Sequence, residues 1–254
     1  LLARPEEFLS IVSANSANTV IVDEVQRAPA ILSHVHMLME RNKALRFVLT
    51  GSSSRKLKRA GVDLLGGRAA LTKMHPFTAG ELQQKFSLDE ALRYGTVPLI
   101  MASSNKQRSL EAYINLYLKE EVQAEGLVRN IAGFARFLEV MAFSHGQVSN
   151  YSEIARECAV SRQLVESYAS ILEDLLISHT VDPFLKRAKR ILVKKSKFYY
   201  FDVGVYNTLR PRGVLDSPEE IGGSALEGLV LQNLIAWKNY SNSDARVYFW
   251  RTKS

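Results

Sequence analysis

A single cysteine, Cys158, stands among 254 residues. It excludes an intramolecular disulfide and a cysteine-built metal centre, and it fits a reducing compartment. In its helical surroundings it reads as a small buried apolar residue. No apolar run approaches the roughly eighteen residues that a membrane span needs, and LLARPEEFLS lacks the charged-then-apolar layout of a secretion signal. A soluble, cytoplasmic protein without a membrane partner is expected. None of the fourteen glycines is followed by lysine, so the phosphate cradle G-x-x-x-x-G-K-[ST] occurs nowhere in the chain. The five histidines are scattered. His34 and His36, two apart on a helix, face different ways, which argues against zinc. No Ser/His/Asp or Cys/His grouping is defined by spacing.

What is present is apolar and basic. A hydrophobic content of 46% supports a sizeable buried core. Lys and Arg outnumber Asp and Glu by 33 to 26, and the net charge of +7 favours an acidic partner: a nucleotide, a nucleic acid or an anionic surface. The chain opens on Leu1 and stops at YFWRTKS, directly after a strand-like segment. A fragment of a longer protein is expected.

The stretch NTVIVDEVQRAP (18–29) ends a β-branched apolar run in two acids, Asp23 and Glu24. PAILSHVHMLMERNK follows with Ile31, Leu32, Val35, Leu38 and Met39 at helical spacing and Pro29 in the first turn, and LRFVLTGSSS then forms a second buried strand. Strand, helix, strand is the crossover unit of a parallel sheet, and ligands gather at the carboxyl ends of such strands. Both acids and the TGSSS tip belong to that edge. In P-loop nucleotide hydrolases an Asp placed there holds magnesium, a following Glu polarises the attacking water, and a polar residue on the adjacent strand senses the γ-phosphate. Thr50 or Ser52 is the candidate for the last position, and Arg68 follows the Gly66-Gly67 stop, where a cation could reach the phosphates of a neighbouring subunit. The same residues also fit a solvated strand end, a Ser-capped turn and a helix-end cation.

Further along, a basic helix, the Gly-Gly stop and a strand are expected before residue 84. Two long helices follow over 104–145, one carrying Leu110, Tyr113, Ile114, Tyr117, Leu118 and Val122, the other Ile131, Phe134, Phe137, Leu138 and Met141. Residues 151–177 fit a helix-turn-helix: Ile154 and Ala155 in the first helix, Val160 in the turn, and Leu164, Val165, Tyr168, Ile171, Leu172 and Leu175 in the second. Its Ser161-Arg162-Gln163 start would face a DNA major groove. Lys186, Arg187, Lys189, Arg190, Lys194, Lys195 and Lys197 would contact phosphates from a wing, against the negative charge of Glu166, Glu173 and Asp174. A packing or interaction module is the competing use of the same unit.

The segments IVDEVQRAP, RFVLTGSSS and LLGGRAALTKMHPFTAGEL, in that order, resemble the bacterial and archaeal AAA-type P-loop ATPases whose C-terminal region joins a winged helix to a restriction-endonuclease-like domain. YINLYLKEEV, SEIARECAVSRQLVESYASILEDLLI, KSKFYYFDVG, SALEGLVLQNL and VYFWRTK are similar to the same family in the same order, so the resemblance covers essentially the whole chain. It implies ATP and Mg2+ as cofactors, with Asp23 as the magnesium-binding Asp, Glu24 as the catalytic Glu, Thr50 to Ser52 as the sensor and Arg68 as an arginine finger. A finger acting in trans requires a homo-oligomer. Glu227 matches the first metal-binding position of the nuclease-like domain; taken alone it is a helix surface residue.

The expected fold class is α/β and then mostly α. It comprises a partial parallel-sheet P-loop ATPase core (1–84), a helical region (85–146), a winged helix-turn-helix (147–202) and the start of an α/β nuclease-like domain (203–254). Family members carry the phosphate loop ahead of a segment like LLARPEEFLS. The resemblance therefore implies an inactive fragment that binds ATP weakly or not at all, with a DNA-binding winged-helix protein as the alternative.

Overall fold

The computed structural model describes residues 4, 6–51, 69–118, 122, 128, 130–184 and 196–250. The chain is mixed α/β with small sheets and divides into two compact units, residues 1–71 and 72–254.

The first unit runs α1 (Glu7–Ala14), β1 (Thr19–Val22), α2 (Ile31–Arg41), β2 (Arg46–Leu49). β1 and β2 are parallel, in register from Thr19 opposite Arg46 to Val22 opposite Leu49. Phe8 and Val12 of α1 pack with Ile31, Val35 and Leu38 of α2 and with Leu45, and Val20, Val22, Phe47 and Leu49 reach the same core from the strands. The alternation of a strand then turns Ile21 and Val48 outward, 68% and 47% exposed. Pro29 lies outside the helix, contrary to the first-turn position expected from sequence. α2 starts at Ile31 behind Ala30, and the Pro29 carbonyl accepts the Leu32 N–H at 3.0 Å.

The second unit begins without regular structure over residues 72–75, so the strand expected after Gly67 does not form in the described part of that segment. It continues with α3 (Ala79–Leu82), α4 (Leu88–Tyr94), α5 (Pro98–Met101) and α6 (Lys106–Ala112), which runs on as a π-helical stretch, Tyr113–Leu118. Next come α7 (Ile131–Ala142), β3 (Gln147–Val148), α8 (Tyr151–Cys158), α9 (Arg162–Asp174), β4 (Ser178–Pro183), β5 (Lys197–Tyr200), α10 (Val203–Leu209), α11 (Pro218–Tyr240) and β6 (Tyr248–Phe249). The sheet order is β3-β5-β4-β6, antiparallel except for the β4–β6 pair.

Helical spacing delivers the core of this unit. Phe134 and Phe137 of α7 meet Tyr168 of α9, the first edge-on at 5.1 Å, amid Ile154, Ala155, Val165 and Leu172. α8 ends on Ala159 in the left-handed region (φ 54°), and the Ser161 hydroxyl caps α9 by accepting the Leu164 N–H at 3.2 Å. The two-helix pattern read from residues 151–177 thus takes shape, with Ile154, Ala155, Val165, Tyr168, Ile171, Leu172 and Leu175 buried and Val160 and Leu164 half-buried.

Two buried polar side chains tie these layers together. Asp202 is fully buried at the start of α10, where its carboxylate accepts N–H bonds from Gly204 (2.8 Å), Val205 (3.2 Å) and Thr96 (2.8 Å). The approach is close enough that a Cβ on Gly204 would lie 2.1 Å from the Tyr94 carbonyl oxygen. Burial outweighs the three donors and raises the Asp202 carboxyl to about 6. His145 accepts the Tyr200 N–H at Nδ1 (3.1 Å) and stacks on Tyr206 at 4.0 Å. Burial lowers its pKa to about 3, with the Ser224 backbone pulling the other way. His179 is lowered to about 4, first by burial and then by His75 and Lys73.

These groups set an acid response. Below the free-histidine pKa of about 6.5 the unfolded chain binds protons that folded His145 and His179 refuse, so stability falls as pH falls. Asp202 acts oppositely: between about 4 and 6 the folded state holds a proton that the unfolded state has lost, so stability rises as pH falls. The two histidines span more of the pH scale than Asp202 does. Urea unfolding of the second unit should show stability dropping from about pH 7 to about pH 4.5; a flat or rising profile would contradict the neutral burial of both rings.

Candidate active site

β1 and β2 end side by side, and hydrogen bonding continues one step past both. Thr50 N donates to the Val22 carbonyl (2.9 Å) and Val25 N donates to the Thr50 carbonyl (3.0 Å). That step places Asp23, Glu24 and Thr50 at the carboxyl edge of the parallel pair. The Glu24 N–H donates to Thr50 Oγ1 at 3.1 Å, and Thr50 Oγ1 in turn donates to Asp23 Oδ1. Since an N–H can only donate, the hydroxyl must accept from Glu24, which leaves its own proton for Asp23. The side-chain amide of Gln26 donates to Glu24 Oε2 at 2.7 Å. One threonine therefore sets the positions of both acids.

Glu24 adopts φ 52° and ψ 48°, the left-handed region. A side chain there costs on the order of 1 kcal/mol, and such outliers concentrate at functional sites. Asp23 is exposed and Glu24 half-buried. Neither forms an ion pair among the described residues. Asp23 and the Thr50 hydroxyl beside it are oxygen donors of the kind a hard divalent cation such as Mg2+ takes, since that ion uses one or two protein carboxylates and completes its shell with water and phosphate. Among the described residues no three His, Cys, Asp or Glu side chains converge to hold a metal ion. The phosphate half is not matched: no glycine-lysine pair exists to build it. Ser52 and Arg68 lie outside the described residues.

The residues proposed for DNA contact are distributed differently. Arg162 and Gln163 open α9 on an exposed surface, where Arg162 Nε donates to Glu166 Oε1 at 2.9 Å. Lys197 donates to Glu227 Oε1 at 2.7 Å, and the Tyr199 hydroxyl shares that oxygen at 2.5 Å. Glu227 is thus bound to two donors from β5 rather than standing free on its helix. Lys186, Arg187, Lys189, Arg190, Lys194 and Lys195 lie outside the described residues. Sequence reading did not single out Lys73, Ser178, His179 or Lys238, which line one cavity of about 320 Å3. They are far apart along the chain, and no motif announces them.

Thr50→Val should remove both hydroxyl bonds and destabilise the first unit by about 1–2 kcal/mol, while Thr50→Ser should retain most of the stability. Glu24→Gly should be more stable than Glu24→Ala by on the order of 1 kcal/mol, because glycine accepts the left-handed backbone. Urea unfolding measures both comparisons. Equal stability of Thr50→Ser and Thr50→Val would contradict the bridging hydroxyl.

Comparison with known proteins also divides the sequence in two, at residues 83–85 rather than at 71–72. Residues 2–83 match the family described as an AAA domain, and residues 85–216 match the family described as a domain of unknown function, DUF8612. An uncharacterised protein of Mycobacterium bovis and one of Mycobacterium tuberculosis are each 26% identical over 240 residues, covering 92% of this chain and 53% of the relative. The chain spans about half the length of the curated relatives it matches. No solved structure matches it. With more than half of its length matched by one profile, the chain belongs to the DUF8612 family, carrying an AAA-domain segment on the N-terminal side.

Proposed function

We propose that the first unit is the hydrolytic edge of an AAA-type ATPase site. The observation that carries this reading is the Thr50 hydroxyl, which accepts from Glu24 and donates to Asp23 at the carboxyl ends of two adjacent parallel strands. Asp23 would hold Mg2+, with its carboxylate oriented by the threonine. Glu24, steadied by Gln26, would polarise the attacking water as a general base. Thr50 is the sensor residue, and Ser52 and Arg68 complete the assignment as second sensor and arginine finger. Mg2+ and ATP would supply phosphate-charge neutralisation and the scissile γ-phosphate.

This edge holds only part of what a nucleotide needs. Backbone N–H groups and a lysine normally neutralise the triphosphate, and without them two carboxylates repel it. Calorimetry of this chain with Mg2+ and ATP should show no micromolar affinity; affinity in that range would overturn the division of labour. In a longer polypeptide that supplies a phosphate loop, Glu24→Gln should lower ATP turnover at least about 100-fold with nucleotide binding retained. Asp23→Asn should weaken the Mg2+-dependent part of binding. Turnover that survives Glu24→Gln would refute the catalytic assignment.

A second reading is DNA binding through α9, supported by the exposed Arg162-Gln163 start behind the Ser161 cap. The Arg162–Glu166 pair opposes it. Duplex binding at low salt that weakens steeply as salt rises would favour this reading. No binding at low salt would remove it.

A further inference from the structure

The long helix α11 is apolar on two sides. Its inner side buries Ala225, Leu229, Leu231 and Ala236 in the second unit. Its outer side leaves Leu226, Val230, Leu234 and Trp237 at 44%, 52%, 44% and 58% exposure. These four side chains line a groove of about 760 Å3, with Phe86 and Leu88 on its other wall. Scattered exposed apolar residues are ordinary on a protein surface, but four in line on one helix mark an interaction face. A helix that is apolar all round is normally covered all round.

The outer stripe reads the same in both directions. At 3.6 residues per turn, Gly223, Leu226, Val230, Leu234 and Trp237 lie within about 40° of one line along the helix. Counted from Val230, a leucine stands four residues away toward either end, and Gly223 and Trp237 stand seven away. Reversing the helix about Val230 therefore lays Leu226 beside Leu234 and Trp237 against Gly223. Gly223 is exposed and a Cβ there would meet nothing within 4 Å, so the position has room for an indole. The flank repeats the relation in charge. Glu220 and Lys238 lie on the same side of the stripe, about 80° from it, and a reversed copy brings one to within about 3 Å of the other along the axis. Neither forms an ion pair among the described residues.

We propose that α11 pairs with α11 of a second copy of this chain, antiparallel about a two-fold axis at Val230, and so covers the groove. A two-fold interface has to be self-complementary, because each patch meets its own duplicate. The outer face of α11 meets that condition three times over: leucine beside leucine, the largest side chain against glycine, and acid beside base. An unrelated partner gives no cause for a pattern symmetric about one residue. A single helix pair with one groove wall is a small interface, which sets the dimer Kd on the order of micromolar. The proposal stands independently of the acids on β1.

Sedimentation of the whole chain across that concentration range tests it. A monomer–dimer equilibrium without larger species is expected. Val230→Glu, which sets two carboxylates against each other at the axis, should weaken the dimer at least about 100-fold. It should leave urea unfolding of the dilute chain unchanged, since the side chain it replaces is already exposed. Lys238→Glu should weaken the dimer several-fold at low salt, and Glu220→Lys in the same chain should restore it. Mild oxidation reads the register directly, because Cys158 is buried and does not compete. Val230→Cys should form a disulfide-linked dimer. Leu226→Cys alone should not, its duplicate being about 12 Å away along the axis, but it should cross-link to Leu234→Cys when the two variants are mixed. A monomer at every concentration, as a face reserved for some other partner would give, overturns the proposal. So does a dimer indifferent to Val230→Glu, or a Leu226→Cys chain that links to itself.

Discussion

The Thr50 hydroxyl is the constraint on which the candidate active site depends. It has one proton and meets one backbone donor, so its bonding direction is fixed: it accepts from Glu24 and gives to Asp23. That bond sequence arises only because β1 and β2 are parallel and in register, with Val22 opposite Leu49, so that the residues just past each strand meet. A slip of one residue would turn Thr50 to the other face and remove the connection. The apolar faces of Val20, Val22, Phe47 and Leu49 against α1 and α2 hold the register, and the register aims the acids.

The site pays for this geometry in backbone strain. Glu24 sits in a left-handed conformation that its side chain disfavours, next to an acid of the same charge with no counter-ion among the described residues. Strain and charge repulsion at one strand end are what a divalent cation would offset. The second unit manages buried polarity differently. Asp202 is enclosed and hydrogen-bonded, His145 is enclosed with Nδ1 bonded and Nε2 left without a partner among the described residues, and each is shifted toward its neutral form.

Much of the first unit was legible because its signals are local. A β-branched run ending in Asp23-Glu24, a helical stripe at Ile31, Val35 and Leu38, and a second strand ending at Thr50 specify a strand-helix-strand crossover from spacing alone. The α8–α9 pair was legible for the same reason, from Ile154, Val165, Tyr168 and Leu172. Pro29 misled because a proline ahead of a helix fits positions on either side of the cap. The strand read after Gly67 does not form over residues 72–75, which carry no regular structure. The left-handed backbone at Glu24 has no sequence signature, since no glycine marks it. The placing of Lys73 and Lys238 along one cavity, and the approach of Asn239 to His75, arise from tertiary packing across more than half of the chain, which no periodicity encodes.

The most direct test of the account is an anomalous-scattering map from crystals of this chain soaked with manganese, a Mg2+ surrogate for oxygen ligands. The account predicts a peak about 2.2 Å from an Asp23 carboxylate oxygen, lost in Asp23→Asn and displaced in Thr50→Val. Manganese bound elsewhere, with none at the β1–β2 edge, would contradict it.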